Sequence, residues 1–508
     1  MLYAVLVVSV FIAYANCFSN EFLFDDEFLI QKNAFLRSWS SFFDIFRASS
    51  TTGAGGVDSF YRPLQTVSYL FVFQIFGLST FGFHLLNVTY HAVNSCLLMI
   101  LGQRLGFGQK ATFAASLLWA LHPVHTEAVT YMSATADPLY TLFCLLGCIA
   151  LFPSFSWRRG LLATFFFAAG LLSKEAAIVF PALAVACRFA TAERPLSWRS
   201  YVFTTPLWMM AILYLIARKT ILDFDESFTF YRTANIYTEN FSVRLYTFFA
   251  TLPSYLELLI FPRDLHMERR FPVFTEFTFF PVLTGLGLAL GTFAQLVWSR
   301  GRRGHALAWG ILWFWAAHVP HTGILIPVNA FFLEHWMYLP SIGLIIGSAE
   351  SVGRVVEGRR MQIVLGCTVG LCAFALGGAT YIQNRVWRTP IEFYSNILRY
   401  NDQSPRIHNN IAIAYGDQKD DERAMKHYLR AIEIADEYPQ TRYNLALLFL
   451  ERNNLPEALK HLHRALEINP DFYHAYGKLF EIAKARGNEA EAKMYFDKFH
   501  EARRKLGL

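Results

Sequence analysis

Two adjacent carboxylates, Asp25 and Asp26, stand just after the first apolar stretch of the chain, with Glu27 and Asn33 close behind. At a water–lipid boundary a carboxylate can take the proton of a hydroxyl as that hydroxyl attacks a carbon centre. Asp is also a favoured helix cap, but a cap calls for one residue and the chain supplies two. Cations that could hold a phosphate follow. Tyr61 and Arg62 precede Pro63 at the start of an apolar stretch, and Lys174 with Glu175 interrupts an otherwise apolar pair of segments. A lysine in that setting is costly unless it has a partner. Glu175 would serve, and so would a lipid-borne phosphate.

His122 and His125, with Glu127 two residues on, close another apolar segment. A His-x-x-His pair can suggest zinc, but Pro123 spoils a continuous helix and no further ligand set follows, so no metal site is assigned. Hydrogen bonding to sugar or phosphate, or between helices, accounts for these residues. Asp137, Glu334 and His335 complete the ionisable candidates, the last two inside the aromatic-rich stretch from Asn329 to Ser341. Aromatic belts are ordinary at a membrane interface, and charged pairs within them are not. His84, Asn87, His91 and Asn94 fall on one helix face, the pattern of polar residues that join membrane helices.

The elements that must position these groups are membrane helices. The chain has 508 residues, 54% of them hydrophobic, and apolar runs recur as far as Ile382. Runs of roughly 15 to 20 residues approach the length that crosses a bilayer. Basic residues gather in short loops, at Arg104 and Lys110, Arg158 and Arg159, Arg188 to Arg199, Arg300 to Arg303 and Arg354 to Arg360. Placing those loops in the cytoplasm makes 2–18, 82–101, 110–122, 135–152, 159–172, 175–190, 200–217, 279–298, 304–320, 334–350 and 361–381 the crossings, about 11 in all. Leu64–Gly77 and Arg244–Phe261 read as interfacial or re-entrant helices. All the candidate site residues and the whole tail then share the non-cytoplasmic side. Met1–Phe18 has a cleavage-like Ala13-Tyr14-Ala15 but no basic residue ahead of it, so a retained helix is expected. The net charge of +6 sits in the loops and points to no nucleic-acid partner; the seven cysteines lie in or beside apolar segments, as small hydrophobes do.

Charged residues crowd the tail, which repeats with a period of 34 residues: Ala424, Ala458 and Ala492; Tyr428, Leu462 and Phe496; Ile411, Leu445 and Leu479. That is the tetratricopeptide (TPR) pattern. Pro439 and Pro470 mark the junctions, and Ile391–Tyr400 reads as a half-repeat helix. Stacked repeats form a concave groove, expected here on the Ile411, Leu445 and Leu479 register and suited to a peptide. The expected fold is all-α, with a polytopic membrane domain over 1–383 and an α-solenoid over 384–508.

Together these segments resemble the TMTC family, transmembrane and TPR-containing O-mannosyltransferases, and their bacterial relatives among GT-C glycosyltransferases. The matching stretches are Phe24-Asp25-Asp26, Tyr61-Arg62-Pro63-Leu64, Phe83 to Asn87, Leu121 to Val129, Ser173-Lys174-Glu175 and Tyr338 to Gly343. The resemblance implies a GT-C fold, a polyprenyl- or dolichyl-phosphate sugar donor, a protein hydroxyl acceptor and inversion at the sugar carbon. Asp26, or Asp25 in its place, would supply the base, and Arg62, Lys174, His122 and His125 the donor-phosphate contacts. Tyr61, Glu127, Asp137, Glu334 and His335 would bind substrate. No redox cofactor is called for, and a divalent cation between acids and phosphate is compatible with the sequence. The family often has Glu-Arg where this chain has Glu334-His335, and Gly-Arg-Ala-Asp where it has Ala134 to Asp137; animal members carry longer repeat arrays. A bacterial inner membrane is expected over an endoplasmic reticulum, with the repeats on the periplasmic or lumenal face. The alternatives are a non-catalytic scaffold that assembles an envelope complex through its repeats, and an enzyme of the same fold with a glycan or lipid acceptor.

Overall fold

The computed structural model describes residues 1–56, 60–152, 156–191, 202–220, 235–299, 305–328 and 330–505. The basic stretch Arg300 to Arg303, most of that from Arg188 to Arg199, and Asn329 lie outside them. The described residues form helices and turns with no strand, and divide into two units, Met1–Thr389 and Pro390–Leu508.

The first unit runs α1 (Leu2–Ala13), α2 (Pro63–Phe76), α3 (Thr80–Arg104), α4 (Gln109–Ala120), α5 (Thr126–Thr130), α6 (Ala136–Leu151), α7 (Trp157–Ser173) and α8 (Phe180–Ala190). It continues through α9 (Thr205–Thr220), α10 (Ile236–Glu239), α11 (Phe241–Ile260), α12 (Phe280–Trp298), α13 (His305–His318), α14 (Pro340–Val355) and α15 (Arg359–Gln383). Every segment expected to cross contains one of these helices. Thr80–Arg104, Met132–Leu151, Phe280–Trp298 and Arg359–Trp387 are long and apolar enough to cross a membrane by themselves. The last two are only 11% buried within the protein, as befits apolar helices whose neighbour is lipid. The chain is an integral membrane protein.

The core gathers Trp119, Trp309, Trp313 and Tyr338 from α4, α13 and the segment leading into α14. Indole N–H groups need partners when buried. Trp119 Nε1 donates to Ser341 Oγ at 3.1 Å and Trp313 Nε1 to the Leu339 carbonyl at 3.0 Å. α13 and α14 touch through Gly310 and Gly343, where a Cβ on either would strike the carbonyl of the other.

Two breaks in helical structure matter for the site. Between α1 and α2 the chain runs in short turns, and Phe24 takes φ 48° directly before the acidic pair. A side chain rarely tolerates that left-handed conformation. At the end of α7, Lys174 is extended (φ −158°, ψ 137°), and a 3₁₀ turn over Glu175–Val179 leads to α8, with Pro181 in its first turn. Asn384 and Trp387 are buried parts of the first unit, which extends to Thr389, a few residues past Gln383, the expected end of the membrane domain.

The second unit holds α16 (Pro390–Tyr400), α17 (Pro405–Asp417), α18 (Asp421–Ile434), α19 (Pro439–Glu451), α20 (Leu455–Ile468), α21 (Tyr473–Ala485) and α22 (Glu489–Lys505). Its repeat is visible in the backbone: Lys419, Asn453 and Gly487, one period apart, all take left-handed φ values of 62°, 57° and 72° that end a helix and start the next. Ala424 and Ala458 are fully buried, which lets paired helices approach closely. The register expected to line a groove is interior instead. Ile411, Leu445 and Leu479 are at most 1% exposed, so they fill the interior between helices and line no groove. Phe496, which shares the register of Tyr428 and Leu462, is 44% exposed, whereas those two are buried.

Candidate functional site

A cavity of about 750 Å³ opens in the first unit, and Asp25, Arg62, Glu127, Asp137, Lys174, Glu175 and His335 all line it. Residues far apart in sequence, carried by the turn before α2, the α4–α6 connection, the α7–α8 break and the segment before α14, therefore meet in one place.

The acidic pair divides its work. Asp26 is fully buried and its carboxylate is occupied: Oδ2 accepts the Leu23 N–H at 2.8 Å, and Oδ1 accepts the Ser133 N–H at 2.8 Å and the Ser133 hydroxyl. Burial pushes its pKa up to about 7, against the lowering effect of those hydrogen bonds. It caps no helix through its side chain. Asp25 faces the cavity, and its N–H donates to the Tyr131 hydroxyl at 3.0 Å.

Each expected phosphate cation already holds a carboxylate. Lys174 Nζ donates to both oxygens of Asp137 at 2.8 Å, so Asp137, and not Glu175, is its partner. Arg62 grips Glu175 with two bonds, Nε at 3.1 Å and a terminal nitrogen at 2.6 Å. Arg62 and Lys174 thus stand in the cavity as members of matched ion pairs. His335 is fixed by Glu127, which accepts the His335 N–H at 3.0 Å and sits 2.9 Å from its Nδ1. Nε2 is the ring nitrogen that remains.

Several expected residues do not line the cavity. His122 Nδ1 accepts the Val124 N–H at 3.2 Å and Nε2 faces the Leu259 carbonyl at 3.1 Å, so it closes the turn that Pro123 forces. His125 is fully buried among the rings of His91, Trp119 and Tyr338. Tyr61 donates its hydroxyl to the Phe46 carbonyl at 2.9 Å. Glu334 is spent on the Arg269 guanidinium and the His266 N–H, both at 2.8 Å. The polar face of α3 joins helices as expected: Asn87 donates to the Tyr131 carbonyl at 3.1 Å, Asn94 to that of Pro138 at 2.8 Å, and His91 Nδ1 meets the Tyr338 hydroxyl at 2.7 Å. Among the described residues no three His, Cys, Asp or Glu side chains are grouped to hold a metal ion.

Tyr131, Ser133, Tyr214 and Arg218 also line the cavity and were not singled out from the sequence. Tyr131 and Ser133 follow the His122–Glu127 stretch directly, and that adjacency was the available signal. Arg218 ends an apolar helix, a position that reads simply as the end of a span.

A membrane-helix unit joined to a helical repeat array defines the class of protein. Residues 405–438 and 439–472 each match the tetratricopeptide repeat family. Over 448 residues the chain is 27% identical to Protein O-mannosyl-transferase F38B6.6 of Caenorhabditis elegans, covering 83% of this chain and 61% of that protein. It is 24% identical over 416 residues to Protein O-mannosyl-transferase TMTC3 of Homo sapiens, covering 74% and 44%. The chain is TMTC-like in sequence and spans about half the length of these curated relatives. Among solved structures, ArnT from Cupriavidus metallidurans bound to undecaprenyl phosphate superposes with a TM-score of 0.44 at 12% identity, covering 94% of this chain and 80% of that one.

Proposed function

We propose that the chain is an inverting membrane glycosyltransferase that moves a sugar from a polyprenyl- or dolichyl-phosphate carrier to a Ser or Thr hydroxyl of a protein, on the non-cytoplasmic side of the membrane. The observation that carries this reading is the cavity, in which the Asp25 carboxylate shares one space with the cations of Arg62 and Lys174. Asp25 takes the acceptor hydroxyl proton as its oxygen attacks the anomeric carbon. The carbon–oxygen bond to phosphate breaks, and the phosphate leaves with the bonding electrons. Arg62 and Lys174 meet that charge, while Glu175 and Asp137 keep both cations aimed before the donor arrives. His335, held by Glu127, offers Nε2 to a sugar hydroxyl. Asp26 acts on the turn, not on the substrate. The repeat array binds the acceptor protein. The names of the relatives favour mannose as the sugar.

The test is intact-mass and glycopeptide analysis of envelope proteins from cells with and without the gene. A hexose on Ser or Thr that depends on the gene is the expected result. An unchanged glycoproteome would overturn the reading in favour of a non-catalytic scaffold.

A further inference from the structure

One three-residue segment holds both acids of the site. Tyr131 accepts the Asp25 N–H on its phenol oxygen at 3.0 Å, and Ser133 gives Asp26 both its N–H, at 2.8 Å, and its hydroxyl. The segment is itself anchored. The Tyr131 ring stacks on Trp387 with centroids 5.6 Å apart and planes 24° from parallel, and its carbonyl accepts from Asn87 at 3.1 Å. Asp25, by contrast, follows the left-handed turn at Phe24, a conformation that persists only where its surroundings impose it.

We infer that Tyr131 is a positioning residue for transfer, its phenol oxygen fixing the Asp25 main chain so that the Asp25 carboxylate meets the acceptor hydroxyl. The inference rests on the transferase reading above. Tyr131 lines the cavity together with Asp25. Burial, with the charges of Asp25 and Asp26, keeps the phenol protonated above its ordinary range, so its oxygen stays a neutral acceptor for the Asp25 N–H. Displacing a reacting group by about 1 Å can cost on the order of 100-fold in rate, so loosening this turn is felt in the chemical step.

The experiment uses the full chain in lipid nanodiscs, with polyprenyl-phosphate mannose as donor and a Ser/Thr peptide as acceptor. Tyr131→Phe keeps the stack on Trp387 and removes only the hydroxyl. We expect kcat to fall roughly 10- to 100-fold with both KM values within about twofold of wild type. In an Asp25→Asn background, followed over long incubations, Tyr131→Phe should cost nothing more, since it acts only through Asp25. Ser133→Ala provides a second variant and should couple to Asp26→Asn in the same way. An active wild type whose kcat is untouched by Tyr131→Phe overturns the inference, as does an equal further loss in the Asp25→Asn background. A wild type without turnover overturns the transferase reading and takes this inference with it.

Discussion

The Lys174–Asp137 pair is the sharpest place to separate a structural role from a functional one. Both side chains are almost enclosed, 8% and 4% exposed, and Nζ reaches both carboxylate oxygens at 2.8 Å. Removing one member of a buried pair leaves the other charge uncompensated and costs about 3–5 kcal/mol, whereas removing both is often close to neutral. Lys174→Met should therefore lower thermal stability in detergent sharply, and Lys174→Met with Asp137→Asn should restore most of it. Donor use should follow a different course. A hydrogen bond between a cation and phosphate contributes about 1.5–3 kcal/mol, which is roughly 10- to 100-fold in apparent donor affinity. The double variant keeps that deficit because no cation remains to meet the phosphate. Melting curves and initial rates on the same preparations read the two effects apart. If the double variant regains stability and donor affinity together, Lys174 is only a partner for Asp137 and the phosphate role is refuted.

Arg62→Met should weaken donor use more than acceptor use, and Glu175→Gln, which keeps the Arg62 charge but loosens its aim, should weaken donor use by less than Arg62→Met does; initial rates against donor concentration check both. Asp26 adds a pH dependence. Its folded pKa of about 7 lies above the ordinary value near 3.9, so its contribution to stability is full below about pH 4 and lost as pH rises through 7. Asp26→Asn should flatten melting temperature against pH over that window, and an unchanged slope would refute the burial account. A chain ending after Thr389 should still glycosylate a short peptide at high concentration while losing the full-length acceptor, as product analysis would show.

Much of the architecture was legible because it follows from periodicity. Apolar runs of helical length gave the helices of the first unit, and the 34-residue repeat gave the paired helices of the tail, to which the structure adds equivalent left-handed turns at Lys419, Asn453 and Gly487. The candidate site was legible by residue type and not by partnership. Asp25, Arg62, Lys174 and Asp137 could be named as charges that an apolar setting must explain. That Arg62 would bind Glu175, and Lys174 would bind Asp137, depends on how α2, α6 and the α7–α8 break pack, which no local pattern encodes. The histidines misled for a related reason. His122 and His125 were expected to meet the donor phosphate, with hydrogen bonding between helices as the alternative; neither lines the cavity, and the turn at Pro123 sets His122 against backbone groups instead. The groove register failed because the best-repeating apolar position in a solenoid is its interior.

In the transfer proposed above, Asp25 removes the proton from an acceptor hydroxyl within the cavity. The most direct measurement compares purified wild type, Asp25→Asn and Asp26→Asn in nanodiscs with polyprenyl-phosphate mannose and a Ser/Thr peptide, reading peptide mass over time. Wild type should add one hexose, Asp25→Asn should add essentially none while melting like wild type, and Asp26→Asn should retain measurable transfer. Full turnover by Asp25→Asn would contradict the account.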